Sequence, residues 1–244
     1  MISYDEQFLE RIKGYMYATS KYENVLVNEN KTAVSILNPV KGDKILHIAA
    51  AGVNIKKYID LEDIELVEVD QNEEFASLAN IDHIDIKEMP YDDNTFDKVI
   101  VIANFHHLPI EERKIVYKEI HRVLKSTGKF ILGDVMKHSL QDFFLNGFVN
   151  KYNPNGHNGL FFDYKDLTLF RDSGFRTKIE NTTYTWNFTS KNELEDFVYH
   201  FFNLMNLEKN QIYKEIKKYL VINQTEEGKI TWNWRLLYFI ATKH

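Results

Sequence analysis

The chain has 244 residues, 44% of them hydrophobic, with a formal net charge of -6 and no cysteine. That apolar content suffices for one large domain or a domain with an elaborated cap. The acidic balance argues against a broad nucleic-acid surface, which needs clustered lysine and arginine; the missing cysteines exclude disulfides, thiolate metal sites and a cysteine nucleophile. The opening Met1-Ile2-Ser3-Tyr4-Asp5-Glu6 carries acids where a secretory signal needs basic residues, and no stretch approaches the roughly 18 apolar residues of a membrane span. A cytoplasmic protein without nucleic-acid or membrane partners is expected.

Residues 3–18 read as an amphipathic helix, with Ser3 and Glu6 at capping-box spacing and Phe8, Leu9, Ile12, Tyr15 and Met16 on one face. A second helical pattern runs from Ser20 to Leu37 and stops at Asn38-Pro39. From Lys44 to Val135 apolar strands alternate with helical patterns, the signature of βαβ units and a parallel sheet. Strands are expected at 44–49, 64–70, 81–86, 97–103 and 129–135, and helices at 54–60, 72–79 and 110–124. Right-handed crossovers then gather the carboxyl ends of the strands along one edge. Residues 136–170 are rich in aromatics and asparagine, with consecutive turns over Asn153–Gly159. A sixth strand is expected at 176–186, then a helical pair opened by Ser190 and Glu193, a turn at Thr225–Lys229 and a long final strand from Ile230 to Thr242. No repeat, low-complexity tract or linker interrupts the chain.

Five features recur at fixed distances. The first strand, Lys44-Ile45-Leu46-His47-Ile48, passes into a small-residue turn; Asp70 closes the second; Asp85 precedes Met89-Pro90; Asn94-Thr95-Phe96-Asp97 opens the fourth; and Glu119–Gly128 leads into the fifth. In that order the chain resembles the class I S-adenosylmethionine (SAM) dependent methyltransferases of the small-molecule type, most closely over residues 40–135. The resemblance implies an α/β, Rossmann-like methyltransferase fold: a mostly parallel seven-stranded sheet with helices on both faces. It also implies a single domain over 1–244, with an N-terminal helical lid (1–38), a cofactor-binding core (43–135), helical and aromatic cap insertions (136–170 and 188–224) and a final antiparallel strand (230–243).

SAM is the implied cofactor, with S-adenosylhomocysteine as product. An acid ending the second strand suits a ribose, because a carboxylate accepts hydrogen bonds from adjacent hydroxyls; Asp70 takes that position, followed by Gln71. Asp85 corresponds to the family's acid beside the adenine amino group, with Ile86 against the ring. Asn104, after the fourth strand, and Tyr17, in the lid, complete the implied cofactor set. The first loop departs from the pattern. His47 stands where the family has an acid, Ala49, Ala51 and Val53 replace three alternating glycines, and Gly52 falls out of phase. Each added methyl restricts geometry that glycine leaves open.

Methyl transfer is an in-line displacement that needs positioning and, where the acceptor holds a proton, a base. His107 and His157 are the candidate bases, since a neutral imidazole accepts a proton near neutral pH. The aromatic segment suggests a small, partly apolar acceptor. Metal-ligand spacings such as H-E-x-x-H are absent, so no metal is expected. Two alternatives remain: a methyltransferase-like partner or scaffold subunit without SAM, and a SAM-binding protein with other chemistry.

Overall fold

A computed structural model describes residues 4–49, 51–53 and 55–244. The Ser3–Glu6 cap and the Phe8 side chain lie outside the described residues, as do Ala50 in the first loop and Asn54 at the start of the helix expected there. The chain divides into two compact units, one drawn from Met1–Glu29, His138–Gly159 and Thr183–Arg235, the other from Asn30–Lys137, Leu160–Thr182 and Leu236–His244.

Two helices come first, α1 (Tyr4–Lys21) and α2 (Val27–Leu37), followed by β1 (Lys44–Ile48), a short 3-10 turn (Ile55–Tyr58), β2 (Glu65–Asp70) and α3 (Glu73–Ala79). Next come β3 (Asp82–His83), β4 (Phe96–Ile102), α4 (Ile110–Val123) and β5 (Leu124–Asp134). A continuous helical stretch then runs through α5 (Leu140–Asp142), a π-helical segment (Phe143–Val149) and α6 (Asn150–Tyr152). The remainder comprises α7 (Leu167–Asp172), β6 (Phe175–Phe188), α8 (Lys191–Phe201), α9 (Lys209–Ile216), β7 (Ile222–Gln224) and β8 (Ile230–Lys243).

The sheet order is β3-β2-β1-β4-β5-β8-β6, with β7 paired to β8. β1, β2, β3, β4 and β5 run parallel, and β8 returns antiparallel against β5 with Lys129 opposite Thr242 and Asp134 opposite Leu237. Seven strands are expected and eight are found among the described residues. The turn at Thr225–Lys229, closed by Thr225 N–H to the Lys229 carbonyl at 2.9 Å, folds Ile222–Gln224 back onto the start of β8 as an extra short strand. The third strand is two residues long, so Asp85 lies beyond it; Ile84 N–H still bonds the Asp70 carbonyl at 3.1 Å.

In the second unit the core is built from the apolar runs of β1, β4 and β5, buried with Val116, Tyr117 and Ile120 of α4 and with Phe170, Phe175 and Phe239. Runs buried on both faces are what a parallel sheet flanked by helices requires. The core of the first unit is aromatic: Trp186 stacks on Trp234 and Phe202, and Trp232, Phe144 and Phe197 pack around them in tilted and edge-to-face contacts. Glu29, in the first turn of α2, is buried in that unit and accepts hydrogen bonds from Tyr184 Oη (2.7 Å) and Trp186 Nε1 (3.1 Å). Two neutral donors and a helix N-terminus offset the desolvation of its carboxylate. No helix among the described residues is long and apolar enough to cross a membrane.

Candidate functional site

Parallel strands must stop somewhere, and in this fold class ligands bind beyond their carboxyl ends. β1 and its neighbour β4 end in the same unusual way. Ala49 has φ +58° and Ala103 φ +49°, both left-handed. For an L-residue with a Cβ that conformation costs about 1 kcal/mol, and such strain persists only where the surrounding structure holds it, commonly at ligand sites. Gly52, at φ +78°, takes the left-handed conformation as glycine can. Ala49 belongs to the buried apolar core and Ala51 is also buried.

Asp70 ends β2 almost fully buried. Its carboxylate accepts the Asn72 N–H at 2.9 Å and is bonded as well by the backbone N–H groups of Ala51 and Gln71. Burial raises its pKa and those three donors pull it back, leaving it above the ordinary value. Asn72 in turn caps α3, accepting the Phe75 N–H at 2.9 Å, so the acid and the helix start are fixed together. Gln71 Nε2 reaches Asn104 Oδ1 at 3.4 Å, which links the ends of β2 and β4. The structure therefore joins Ala51, Asp70, Gln71 and Asn104 directly.

Asp85 is exposed, its Oδ1 accepting the Lys87 N–H at 2.8 Å, while Ile86 beside it is buried. His47 sits inside β1, fully buried, with neither ring nitrogen hydrogen-bonded and Glu68 Oε1 3.5 Å from Nδ1. A buried imidazole without partners is costly.

The sequence reading named His106 beside His107 after the fourth strand but missed its partner on this edge. Asp134, at the end of β5, is fully buried and takes Nδ1 of His106 at 2.9 Å, the His106 N–H at 3.1 Å and the Val135 N–H at 2.7 Å. A carboxylate accepts only, so Nδ1 carries the hydrogen and Nε2 the lone pair of the neutral ring. The His106 ring lies 4.0 Å from that of His107, which is exposed. Gly133-Asp134 after an apolar run was the available signal.

His157 and Tyr17 belong to the other unit. Asn146, in the π-helical segment, gives its amide hydrogens to Asp142 Oδ1 (3.0 Å) and the Gly159 carbonyl (2.9 Å), so its Oδ1 accepts from Gly159 N–H (2.7 Å) and from His157 Nδ1 (3.1 Å). That network also leaves the lone pair of neutral His157 on Nε2. Tyr17 donates to Asp196 Oδ2 at 3.1 Å, and Asp196 collects Tyr22 Oη (2.6 Å), Lys209 Nζ (2.7 Å) and Lys21 Nζ (3.3 Å) as well. Burial alone would raise the Asp196 pKa, but bonds from Lys209 and Tyr22 hold it well below the carboxylate range. Burial, with the hydrogen bond to Asp196 second, pushes Tyr22 up to about 12.

The residues on the β1, β2 and β4 edge fit an adenosyl cofactor. Asp70 retains acceptor capacity beyond its three backbone donors, since a carboxylate offers about four lone-pair sites, and the Ala49 methyl is packed in the core. Residues 45–132 match the sequence family described as methyltransferase domain. A stretch of 71 residues is 39% identical to a sterol 4-C-methyltransferase of Caenorhabditis elegans, spanning 27% of this chain and 21% of that protein. A putative methyltransferase of Bacillus halodurans C-125 superposes with a TM-score of 0.60 at 18% identity, covering 88% of this chain and 98% of the other. Phosphoethanolamine N-methyltransferase 2 of Haemonchus contortus, solved with S-adenosyl-L-methionine, gives 0.57 at 14% identity over 95% of this chain and 56% of its own.

Proposed function

From a chain whose residues 45–132 are a methyltransferase domain of the class I, SAM-dependent fold, we propose an enzyme that transfers a methyl group to a small-molecule acceptor. SAM, when bound, supplies the electrophilic methyl on its sulfonium. Asp70 accepts a ribose hydroxyl on the oxygen capacity its backbone donors leave; Asp85 and Ile86 take the adenine, one by a hydrogen bond from its amino group and the other against its face. Gln71 and Asn104 brace the loops between those contacts. The first loop, with His47, Ala49, Ala51 and Gly52, faces the amino-acid end. His47, within β1, presents an imidazole where the family has a carboxylate.

For an acceptor that holds a proton, His107 is the candidate base on this edge. It follows β4 at the place where Asn104 begins the loop. His157, its lone pair set on Nε2 by Asn146, is the second candidate base. Acceptors with an anionic or already deprotonated atom need neither.

The observation that carries the reading is Asp70 held by three backbone N–H groups at the end of β2, beside two strands that end in strained alanines. Isothermal titration with SAM and with S-adenosylhomocysteine tests it. Saturable binding is expected, weakened at least about tenfold in Asp70→Ala, the loss of about 1.4 kcal/mol or more that a charge-assisted hydrogen bond supplies. No heat and no thermal shift at millimolar cofactor would remove the enzymatic reading and leave the partner-subunit alternative, which the replaced glycines favour.

A further inference from the structure

At the far end of β5 from Asp134 a cavity of about 640 Å³ opens. Lys129 and Asp134 are five residues apart on β5, about 16 Å along an extended strand, so this cavity is separate from the carboxyl edge. One wall is the end of α2, with Ser35, Ile36 and Asn38; the other is the sheet face of β5, β8 and β6. Side chains alternate along a strand. Pairing of Lys129 with Thr242 puts these two on the same face as Ile240, and on β6 the same alternation groups Arg176, Lys178 and Glu180.

Three cations, Lys129, Arg176 and Lys178, line the cavity with one acid, Glu180, and with His244. Lys178 is satisfied by Glu180 at 2.8 Å, a pair that suits the exposed edge of a sheet. Lys129 and Arg176 have no ion-pair partner among the described residues. Lys129 is the informative one, because it is partly buried on an interior strand, two strands in from the β6 edge, where edge protection does not explain it. The end of α2 does not take its charge either: the Asn38 carbonyl accepts Lys98 Nζ at 2.8 Å, and Lys98 also pairs with Asp43. An anion in the cavity would give Lys129 and Arg176 the counterion they lack among the described residues. Ile36 and Ile240 line the same space with apolar surface, and Ser35, Asn38 and Thr242 add neutral polar groups.

We propose that this cavity is a second ligand site, for a small organic anion that carries one phosphate or carboxylate group on an apolar body. Lys129 and Arg176 take the anionic group and Ile36 and Ile240 the body. The volume lies within the range of small-molecule sites.

The test uses the full chain and four probes read by two-dimensional NMR: 1-naphthyl phosphate, 1-naphthoate, uncharged 1-naphthol and inorganic phosphate. Expected are shifts of the Ile36, Ile240 and Thr242 amides on adding naphthyl phosphate or naphthoate, with the tighter of the two naming the anion. Affinity should fall about tenfold or more in Lys129→Met and in Arg176→Gln. It should be unchanged in Lys217→Gln, a charge outside the cavity, and in Asp70→Ala, which separates this site from cofactor binding. Arg176 is exposed on an edge strand, so its variant keeps the test open if Lys129→Met does not fold. Equal binding of naphthol and naphthyl phosphate would overturn the anion assignment; equal binding of inorganic phosphate would overturn the apolar body. Shifts scattered over other surfaces, or affinities indifferent to both substitutions, would overturn the site itself.

Discussion

Two aspartates, one in each unit, have their pKa values moved in opposite directions. Asp70 is buried among backbone N–H groups and its pKa rises; Asp196 is less buried, receives two lysines and two tyrosines, and its pKa falls. Peptide dipoles compensate desolvation in part, whereas full charges with hydroxyls exceed it. An acid of the first kind is costly to keep ionised and suited to a ligand that completes its hydrogen bonds. One of the second kind ties α1 to α8 and α9 and is already saturated.

The largest test of this comparison concerns the frameworks that hold the two acids. Trp186→Ala, opening a cavity in the aromatic core of the first unit, should cost about 3–5 kcal/mol in denaturant unfolding. If the loss stayed below about 1 kcal/mol, that core would not be what holds the Asp196 cluster in place.

Next comes a pair of opposite pH effects. A raised folded-state pKa means that Asp70 stabilises the fold fully below the unfolded value and loses that contribution as pH rises through the folded value. Asp70→Asn should therefore melt higher than wild type at neutral pH, the difference shrinking on acidification through the carboxylate range, while SAM binding weakens. A lowered folded-state pKa means that Asp196 contributes above the unfolded value of about 3.9 and loses the contribution as pH falls toward the folded one. Asp196→Asn should lower the melting temperature at neutral pH, with the deficit closing in acid. Thermal melts of both variants from pH 3 to 8 check the pair, and parallel curves would end the comparison. Its Asp196 half is of order 1 kcal/mol or less, because the cluster is partly exposed.

The pH dependence of cofactor binding is a smaller effect. SAM affinity of the wild type should decline on acidification at a pH above the ordinary aspartate value, because the protonated Asp70 no longer accepts from a ribose hydroxyl. The decline should be absent in Asp70→Asn, and titrations between pH 4 and 8 would detect it. On the kinetic side, replacing His107 or His157 by alanine should lower kcat with KM nearly unchanged where the acceptor must lose a proton, by about 10²-fold for whichever is the base. An unchanged kcat in both would assign proton removal elsewhere.

The strands of the parallel framework, the helices α3 and α4 and the position of Asp70 at a strand end were legible in the chain, because burial on both faces forces continuous apolar runs; the helix expected at 54–60 is instead a 3-10 turn over Ile55–Tyr58. Asn72 capping α3 and Ser190 capping α8 follow from local chemistry in the same way. The third strand was read too long because Ile84 and Ile86 are buried as a strand's would be, although only Asp82–His83 pair. Local sequence likewise gave no sign that Ala49 and Ala103 would take left-handed backbone, since alanine carries no preference for it and the cost is borne by packing around them.

What the sequence alone determined is therefore the periodic part: the parallel framework, its edge, and which acids fall on it, since each depends on residues close together in the chain. What only the tertiary structure decided is how those groups are satisfied. His106 meets Asp134 across 28 residues, Asp196 gathers Tyr17 and Tyr22 from more than 170 residues away, and Lys129 has no ion-pair partner among the described residues, because hydrogen bonding and charge pairing depend on distance in space.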